Sequence, residues 1–165
     1  MSDANAIERI GPAEITALTE RATAATFYRD DLTAEEIEAN RRVVRISADT
    51  ALSAVEDNHQ IFIAAFVDGA FAGYMIATVH GPDSRELDWL MVDPAFHGQG
   101  VADELMKAGV EWLGRDRPMW LNVLQHNERA IGFYRRHDFE VDLDARTEHL
   151  IPHFVMRRAA DLQAS

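Results

Sequence analysis

The chain of 165 residues contains no cysteine, which excludes a disulfide framework, a thiolate zinc site and a cysteine nucleophile together. The reducing cytoplasm is the default location for such a composition. No uninterrupted apolar run approaches the roughly 20 residues that a membrane helix needs, and Met1 to Glu8 show no basic stretch followed by an apolar core. A soluble, untargeted protein is expected. Positive charge is also scarce, with 16 Lys plus Arg against 28 Asp plus Glu and a formal charge of -12. That balance repels nucleic acid and anionic membrane over most of the surface and suits a cationic partner. Internal repeats, linkers and low-complexity stretches are absent as well. What remains is a chain with 47% hydrophobic and 27% charged residues, suited to one globular domain over residues 1–165 with an ordered core from about 6 to 158.

Ala6 to Ile10 reads as a short strand, and Pro12 fits the first turn of a helix running through Ile15, Leu18 and Ala22 toward Phe27. Thr33-Ala34-Glu35-Glu36 has the spacing of a capping box, and helix formers continue through Arg45. Arg41, Arg42 and Arg45 read as a solvated face of that helix. Gln60 to Val67 and Ala70 to Val79 are β-rich runs joined by Asp68-Gly69, a two-residue hairpin connection. Gly81-Pro82-Asp83-Ser84 reads as a loop before a strand over Glu86 to Val92, whose alternation puts Glu86, Asp88, Leu90 and Val92 on one face.

The most informative stretch follows. The strand ends at Asp93-Pro94, passes through Gly98 and Gly100, and enters a segment with Val101, Leu105, Ala108 and Trp112 at helical spacing, closed by Gly114. Glycines let backbone approach a ligand closely, and the first amides of a helix are unpaired donors at the positive end of its dipole, so this order builds an anion site. Trp120 to Leu124 is another strand, Asn127 is an N-cap for a short helix over Glu128 to Arg136, and Phe139 to Leu143 with His153 to Met156 form the last strands. Ala159 to Ser165 reads as a loosely held tail. The element order gives an α+β domain with one mixed sheet.

His97-Gly98-Gln99-Gly100-Val101-Ala102 resembles the pyrophosphate loop of the GNAT N-acetyltransferases, with Gly100 and Ala102 at its last two defined positions. Leu87 to Pro94 resembles the strand before that loop, and Asn127-Glu128-Arg129-Ala130-Ile131-Gly132-Phe133-Tyr134 follows the family's Asn-x-x-Ala-x-x-x-Tyr pattern. With the hairpin and the first helices, the resemblance covers roughly Ile7 to Met156. It implies the acyl-CoA N-acyltransferase fold, a mostly antiparallel central sheet flanked by helices, and transfer of an acetyl group from acetyl-CoA to a primary amine without a metal. By the same resemblance, Leu90, Met91 and Val92 pair with the pantetheine arm. His97, Gly98, Gln99, Gly100, Val101, Ala102 and Asp103 hold the pyrophosphate. Asn127 touches pantetheine or adenosine, Arg136 reaches the nucleotide phosphates, and Tyr134 protonates the leaving thiolate. A homodimer is common among similar proteins.

The acceptor's amine must be neutral to attack, and an ammonium with a pKa near 10.4 costs on the order of 4 to 5 kcal/mol to deprotonate at pH 7. Glu86 and Asp88 lie on the strand where the family often carries a base, with Glu86 favoured because it lies farther from the thioester end. A small cationic amine fits the acidic balance, and the run from Trp120 with His153-Phe154-Val155-Met156 looks somewhat like polyamine-acetylating members. A protein N-terminus or lysine as acceptor, or a module that binds acyl-CoA without turnover, stays open. The chain departs from the family's pattern at His97, where Gln or Arg is usual, at Asp103 and Glu104, and at Asp138. His80, His126, His137, His149 and His153 show no metal-ligand spacing and read as surface or hydrogen-bonded residues.

Overall fold

The computed structural model describes residues 4–162. Three helices come first: α1 over Ala4–Ile10, α2 over Pro12–Phe27 and α3 over Ala34–Glu56. The strand expected at Ala6 to Ile10 is therefore a helix. Its Ile7 and Ile10 are three apart, so one helical face carries both into the core beside Ile15 and Leu18, and the chain turns into α2 at Gly11. The capping box starts α3 as expected, with Glu36 N–H donating to Thr33 Oγ1 at 3.1 Å. That helix runs past Arg45 to Glu56, because Val44, Ala48, Ala51 and Ala54 keep supplying a buried stripe of small and branched residues. Arg41, Arg42 and Arg45 are exposed.

The sheet has six strands in the order β1-β2-β3-β4-β6-β5. They are β1 (Gln60–Val67), β2 (Ala70–Gly81), β3 (Ser84–Val92), β4 (Met119–Leu124), β5 (Glu140–Asp142) and β6 (His153–Arg158). β1 and β2 form the Asp68-Gly69 hairpin, both turn residues having positive φ, at 49° and 81°. All neighbours are antiparallel except β3 and β4, which run parallel with Glu86 and Trp120 as the matched pair. The C-terminal half of β3 thus presents backbone edge to a gap before β4.

Helices α4 (Val101–Leu113) and α5 (Glu128–Arg136) complete the fold. One face of the sheet packs Ile63, Met75, Leu87 and Leu121 against Leu105, Met106 and Val110 of α4. The other packs Phe62, Tyr74 and Ile76 under α1, α2 and α3. Each fully buried Leu or Phe side chain contributes about 1.5 to 3 kcal/mol to such layers. Tyr74 keeps its hydroxyl satisfied by Thr19 Oγ1 at 2.6 Å. Of the tail expected to be loose, residues 163–165 lie outside the described residues, and the described part is held through Asp161, whose N–H donates to Arg115 O at 2.7 Å and whose carboxylate accepts from buried Arg158 at 2.7 Å.

Candidate active site

Strand β3 supplies the centre of the site, and its regularity breaks at a point that alternation could not show. Ile76 pairs with Trp89, but Ala77 pairs with Leu87, so Asp88 is an extra residue on β3. Because of this bulge, Leu87, Leu90 and Val92 all turn toward α4, while Trp89 and Met91 turn toward α2 and α3. The single face expected for Glu86, Asp88, Leu90 and Val92 does not exist. Glu86 stands on the face opposite Leu90 and Val92, the face that Trp120 and Asn122 share on β4.

Glu86 is 7% exposed, and its Oε1 accepts a hydrogen bond from His80 Nε2 at 2.7 Å. Asp88 is exposed beside it. The protein mass around Asp88, the negative charge of Glu86 and a side-chain hydrogen bond shared with Glu86 push this carboxyl up to about 7, with His80 pulling the other way. Asp88 can therefore take up a proton near neutral pH. Next to it opens a cleft of about 490 Å³ lined by Ser84, Trp120, Asn122, Arg146, Glu148 and Arg157, where Asn122 Oδ1 is buried without a hydrogen-bond partner. A larger hollow of about 620 Å³ between α2 and α3 shares none of these residues.

The other end of β3 leads into the glycine turn. Asp93, buried at the strand end, accepts from Ala95 N–H at 3.0 Å and opens a 3-10 turn over Pro94–Phe96. Gly98 and Gly100 have φ of 81° and 79°, in the left-handed region where a side chain is strained, and no neighbour lies within 4 Å of where a Cβ would stand. The surrounding space is open. Gly100 is the N-cap of α4 and offers no side chain to its first amides, so those donors remain for an anion.

Two of the departures around this turn, His97 and Asp103, are each tied to another group. His97 Nδ1 accepts from Arg129 Nη2 at 3.1 Å, since a guanidinium only donates. Burial and the Arg129 charge lower the imidazole's pKa, against an opposing pull from Asp93. His97 is thus neutral at pH 7, with its proton on Nε2. Asp103 in the first turn of α4 accepts from His137 Nε2 at 2.8 Å, which draws that carboxylate toward the end of α5. Asp138 takes a φ of 70°, the conformation that favours glycine, directly before buried Phe139. Arg129 falls at an undefined position of the Asn-x-x-Ala pattern, and its contact with His97 joins residues 32 apart in sequence, which no local spacing signals.

Asn127 caps α5, its Oδ1 accepting from Ala130 N–H at 3.2 Å, which leaves its amide nitrogen free of that duty. Tyr134 lies on the α4 side of the sheet, half-buried, with its ring set edge-on to Phe133 and Phe139. Burial pushes its hydroxyl up to about 12, so it is protonated throughout the physiological range. Arg136 stands over the Phe133 ring at 5.6 Å. Tyr134 and Glu86 therefore lie on opposite faces of the sheet. Among the described residues no cluster of three or more His, Cys, Asp or Glu could hold a metal ion.

This arrangement, a parted pair of parallel strands above an uncapped helix N-terminus, defines an acyl-CoA transferase fold. Residues 20–139 match the model of the acetyltransferase (GNAT) family, and the chain belongs to that family. An uncharacterized N-acetyltransferase of Mycobacterium tuberculosis is 34% identical over 91 residues, a match spanning 52% of this chain and 56% of that relative's length. Among solved structures, the PaiA N-acetyltransferase from Thermoplasma acidophilum in complex with coenzyme A superposes with a TM-score of 0.69 at 17% identity, over 95% of this chain and 94% of that one. The ribosomal-protein-S18-alanine N-acetyltransferase from Escherichia coli does so at 0.59 and 20% identity, over 81% and 93%. At those identities the likeness is one of fold.

Proposed function

We propose that the chain is an acetyl-CoA-dependent N-acetyltransferase that moves an acetyl group to the primary amine of a small acceptor, cationic at that amine. The observation that carries this reading is the gap beside the C-terminal half of β3, which ends at the open amides of α4. In it, Leu90, Met91 and Val92 offer strand edge to the pantetheine arm. Backbone amides from Gly98 to Asp103, including those of Gln99, Gly100, Val101 and Ala102, face the pyrophosphate together with the His97 Nε2–H. Asn127 contributes its amide nitrogen, and Arg136 answers the nucleotide phosphates. Acetyl-CoA supplies the thioester.

The acceptor enters from the opposite face, through the cleft over Ser84, Trp120 and Asn122. Glu86, with Asp88 beside it, takes the ammonium proton, which breaks an N–H bond and frees the nitrogen lone pair for direct attack on the thioester carbonyl. As the C–N bond forms and the C–S bond breaks, Tyr134 gives its hydroxyl proton to the departing thiolate, and the second proton that the nitrogen sheds on becoming an amide restores the tyrosine by way of solvent. The raised Tyr134 pKa suits this role, because an acid must hold its proton until the thiolate forms.

Two measurements test the reading in sequence. Thermal-shift titration with acetyl-CoA is expected to raise Tm by several degrees at millimolar ligand, and no shift at all overturns the donor assignment. A thiol-release screen over polyamines, amino acids, peptides and aminoglycosides is expected to turn over with a small amine. Release with peptides alone replaces the small acceptor with a protein one, and binding without release in any arm makes the chain a non-catalytic acyl-CoA module.

A further inference from the structure

β2 and β3 carry two bulges, and they flank Glu86. The first leaves Asp88 unmatched on β3; in the second, Val79 pairs with Arg85 and Gly81 with Ser84, so His80 is unmatched on β2. Thr78 and Glu86 stay in register between them. A bulge re-aims the side chain it adds, and here two independent bulges bring an imidazole and a second carboxylate to one buried carboxylate. His80 is also held from outside. Its ring stacks on Trp120 at 5.8 Å and 22°, and Trp120 Nε1–H donates to Ser84 Oγ at 3.2 Å. With its side chain 45% exposed against 10% for Glu86, His80 stands between the buried carboxylate and water.

A carboxylate only accepts hydrogen bonds, so the 2.7 Å contact places a proton on His80 Nε2 directed at Glu86 Oε1. One lobe of the carboxylate is thereby occupied and its plane fixed. We propose that His80 is a positioning residue for acetyl transfer: it holds Glu86 by Oε1 so that Oε2 is the oxygen that takes the acceptor's ammonium proton. The inference rests on the acetyltransferase reading above. In that step an N–H bond of the ammonium breaks, an O–H bond forms on Oε2, and the nitrogen keeps the electron pair. The His80–Glu86 bond persists throughout.

The titratable groups facing one another here are Glu86 and Asp88 from β3 and His80 from β2, while β4 opposes them with the uncharged Trp120 and β6 sets Arg157, ion-paired with Asp142, across from Trp120. The His80 side chain counteracts the push that the surrounding protein and Glu86 exert on Asp88. Its removal therefore frees the Glu86 carboxylate and makes Asp88 harder to ionise. Those are two separable effects, one on geometry and one on charge.

His80→Ala and His80→Gln separate them, the glutamine keeping an N–H donor but no charge. With a small amine that turns over, His80→Ala is expected to lower kcat about tenfold while leaving KM for acetyl-CoA within about twofold, and to move the acid limb of the kcat/KM profile to higher pH. His80→Gln is expected to recover most of the rate at high pH and none of the limb shift. An unchanged kcat in His80→Ala overturns the proposal, as does a loss that is uniform in pH and not recovered by His80→Gln. A second readout needs no acceptor: the Asp88 side-chain carboxyl, followed by carbon NMR in the full chain, is expected to titrate at higher pH in both variants. If it does not move, His80 does not act on this pair. Wild-type chain that releases no thiol with any amine defeats the acetyltransferase reading, and the Asp88 titration still decides whether His80 governs the carboxylates.

Discussion

Arg21 reaches from α2 to the end of β3, where its Nε and Nη2 donate to one oxygen of Asp93 at 2.9 and 2.8 Å. Asp93 is 7% exposed, and its other oxygen accepts the Ala95 N–H that starts the turn toward Gly98. A helix from one face of the sheet is thus braced to the loop that would receive pyrophosphate. Burial works against the Asp93 charge, but the hydrogen bonds from Arg21 and Ala95 and the Arg21 charge outweigh it and lower the pKa. A lowered carboxyl contributes stability above the ordinary carboxylate range and loses it as pH falls through its folded value. Arg21→Met is therefore expected to cost about 1 to 2 kcal/mol at pH 7, the modest end because Arg21 is half-exposed. Wild-type and variant unfolding curves should converge as pH falls below the ordinary carboxylate range, and acetyl-CoA affinity should fall with the loss of loop order.

Arg129 bears on the donor more directly. Its guanidinium lies on His97 at the mouth of a glycine turn in a strongly acidic chain, where it is a cation available to phosphate. Replacing it with Gln is expected to weaken acetyl-CoA binding about tenfold, or about 1.4 kcal/mol, by calorimetry at low salt, with a smaller difference at high salt. Equal affinity in the two proteins would remove Arg129 from the donor site.

The strand edge is guarded by a glycine. A Cβ on Gly73 would stand 2.7 Å from the backbone oxygen of Met91 and 3.3 Å from the side chains of Leu105 and Val101. Side chains can give way by a few tenths of an ångström, but a strand carbonyl moves only with its strand. Gly73→Ala is expected to destabilise the fold by about 2 kcal/mol in denaturant unfolding. It should also raise KM for acetyl-CoA, because Met91 lies in the segment proposed to pair with pantetheine.

These relations mark where the sequence stops being readable. The Asp68-Gly69 hairpin, the Thr33 capping box, the Asn127 cap and the Gly114 stop were all legible, since each depends on residues within a few positions of one another. Ile7 and Ile10 misled because a short apolar run suits a strand as well as a helix, and only the packing under Phe62 and Tyr74 decides. The bulges at His80 and Asp88 were illegible because a period of two has no signal for one extra residue. Without them Glu86 falls on the wrong face, and its bond to His80 cannot be foreseen. Arg21 with Asp93, Arg129 with His97 and His137 with Asp103 are pairs of distant elements, fixed by how helices lie across the sheet.

Tyr134 separates chemistry from packing. Its hydroxyl has no hydrogen-bond partner among the described residues, so Tyr134→Phe removes no folded-state bond, and Tm should stay within about 2 °C. As the proposed acid it should nonetheless lower kcat about 100-fold, within the range for a positioned proton donor, and leave KM for acetyl-CoA within about twofold. With its pKa at about 12, Tyr134 stays protonated across the assay range and adds no alkaline limb below about pH 10. A variant with unchanged kcat would pass the proton to another donor.

Asp88 is expected to cost the fold stability at the pH where it serves. Its carboxyl is pushed up to about 7 by the protein mass around it and by the charge and hydrogen bond of Glu86, whereas an unfolded aspartate titrates near 3.9. Between about pH 4 and pH 7 the folded chain therefore holds a proton that the unfolded chain has released, and stability falls as pH rises through that window. Asp88→Asn removes the ionisation. The variant is expected to match wild type below about pH 4 and to melt higher above pH 7. The difference should be only about 2 °C, less than 1 kcal/mol for a chain of this size, because the side chain is exposed and water screens much of the repulsion. Thermal melts of both proteins from pH 3 to 9 measure it. A variant less stable than wild type at pH 8 would mean that ionised Asp88 is favourably paired, and would end its description as a carboxylate held above its ordinary range.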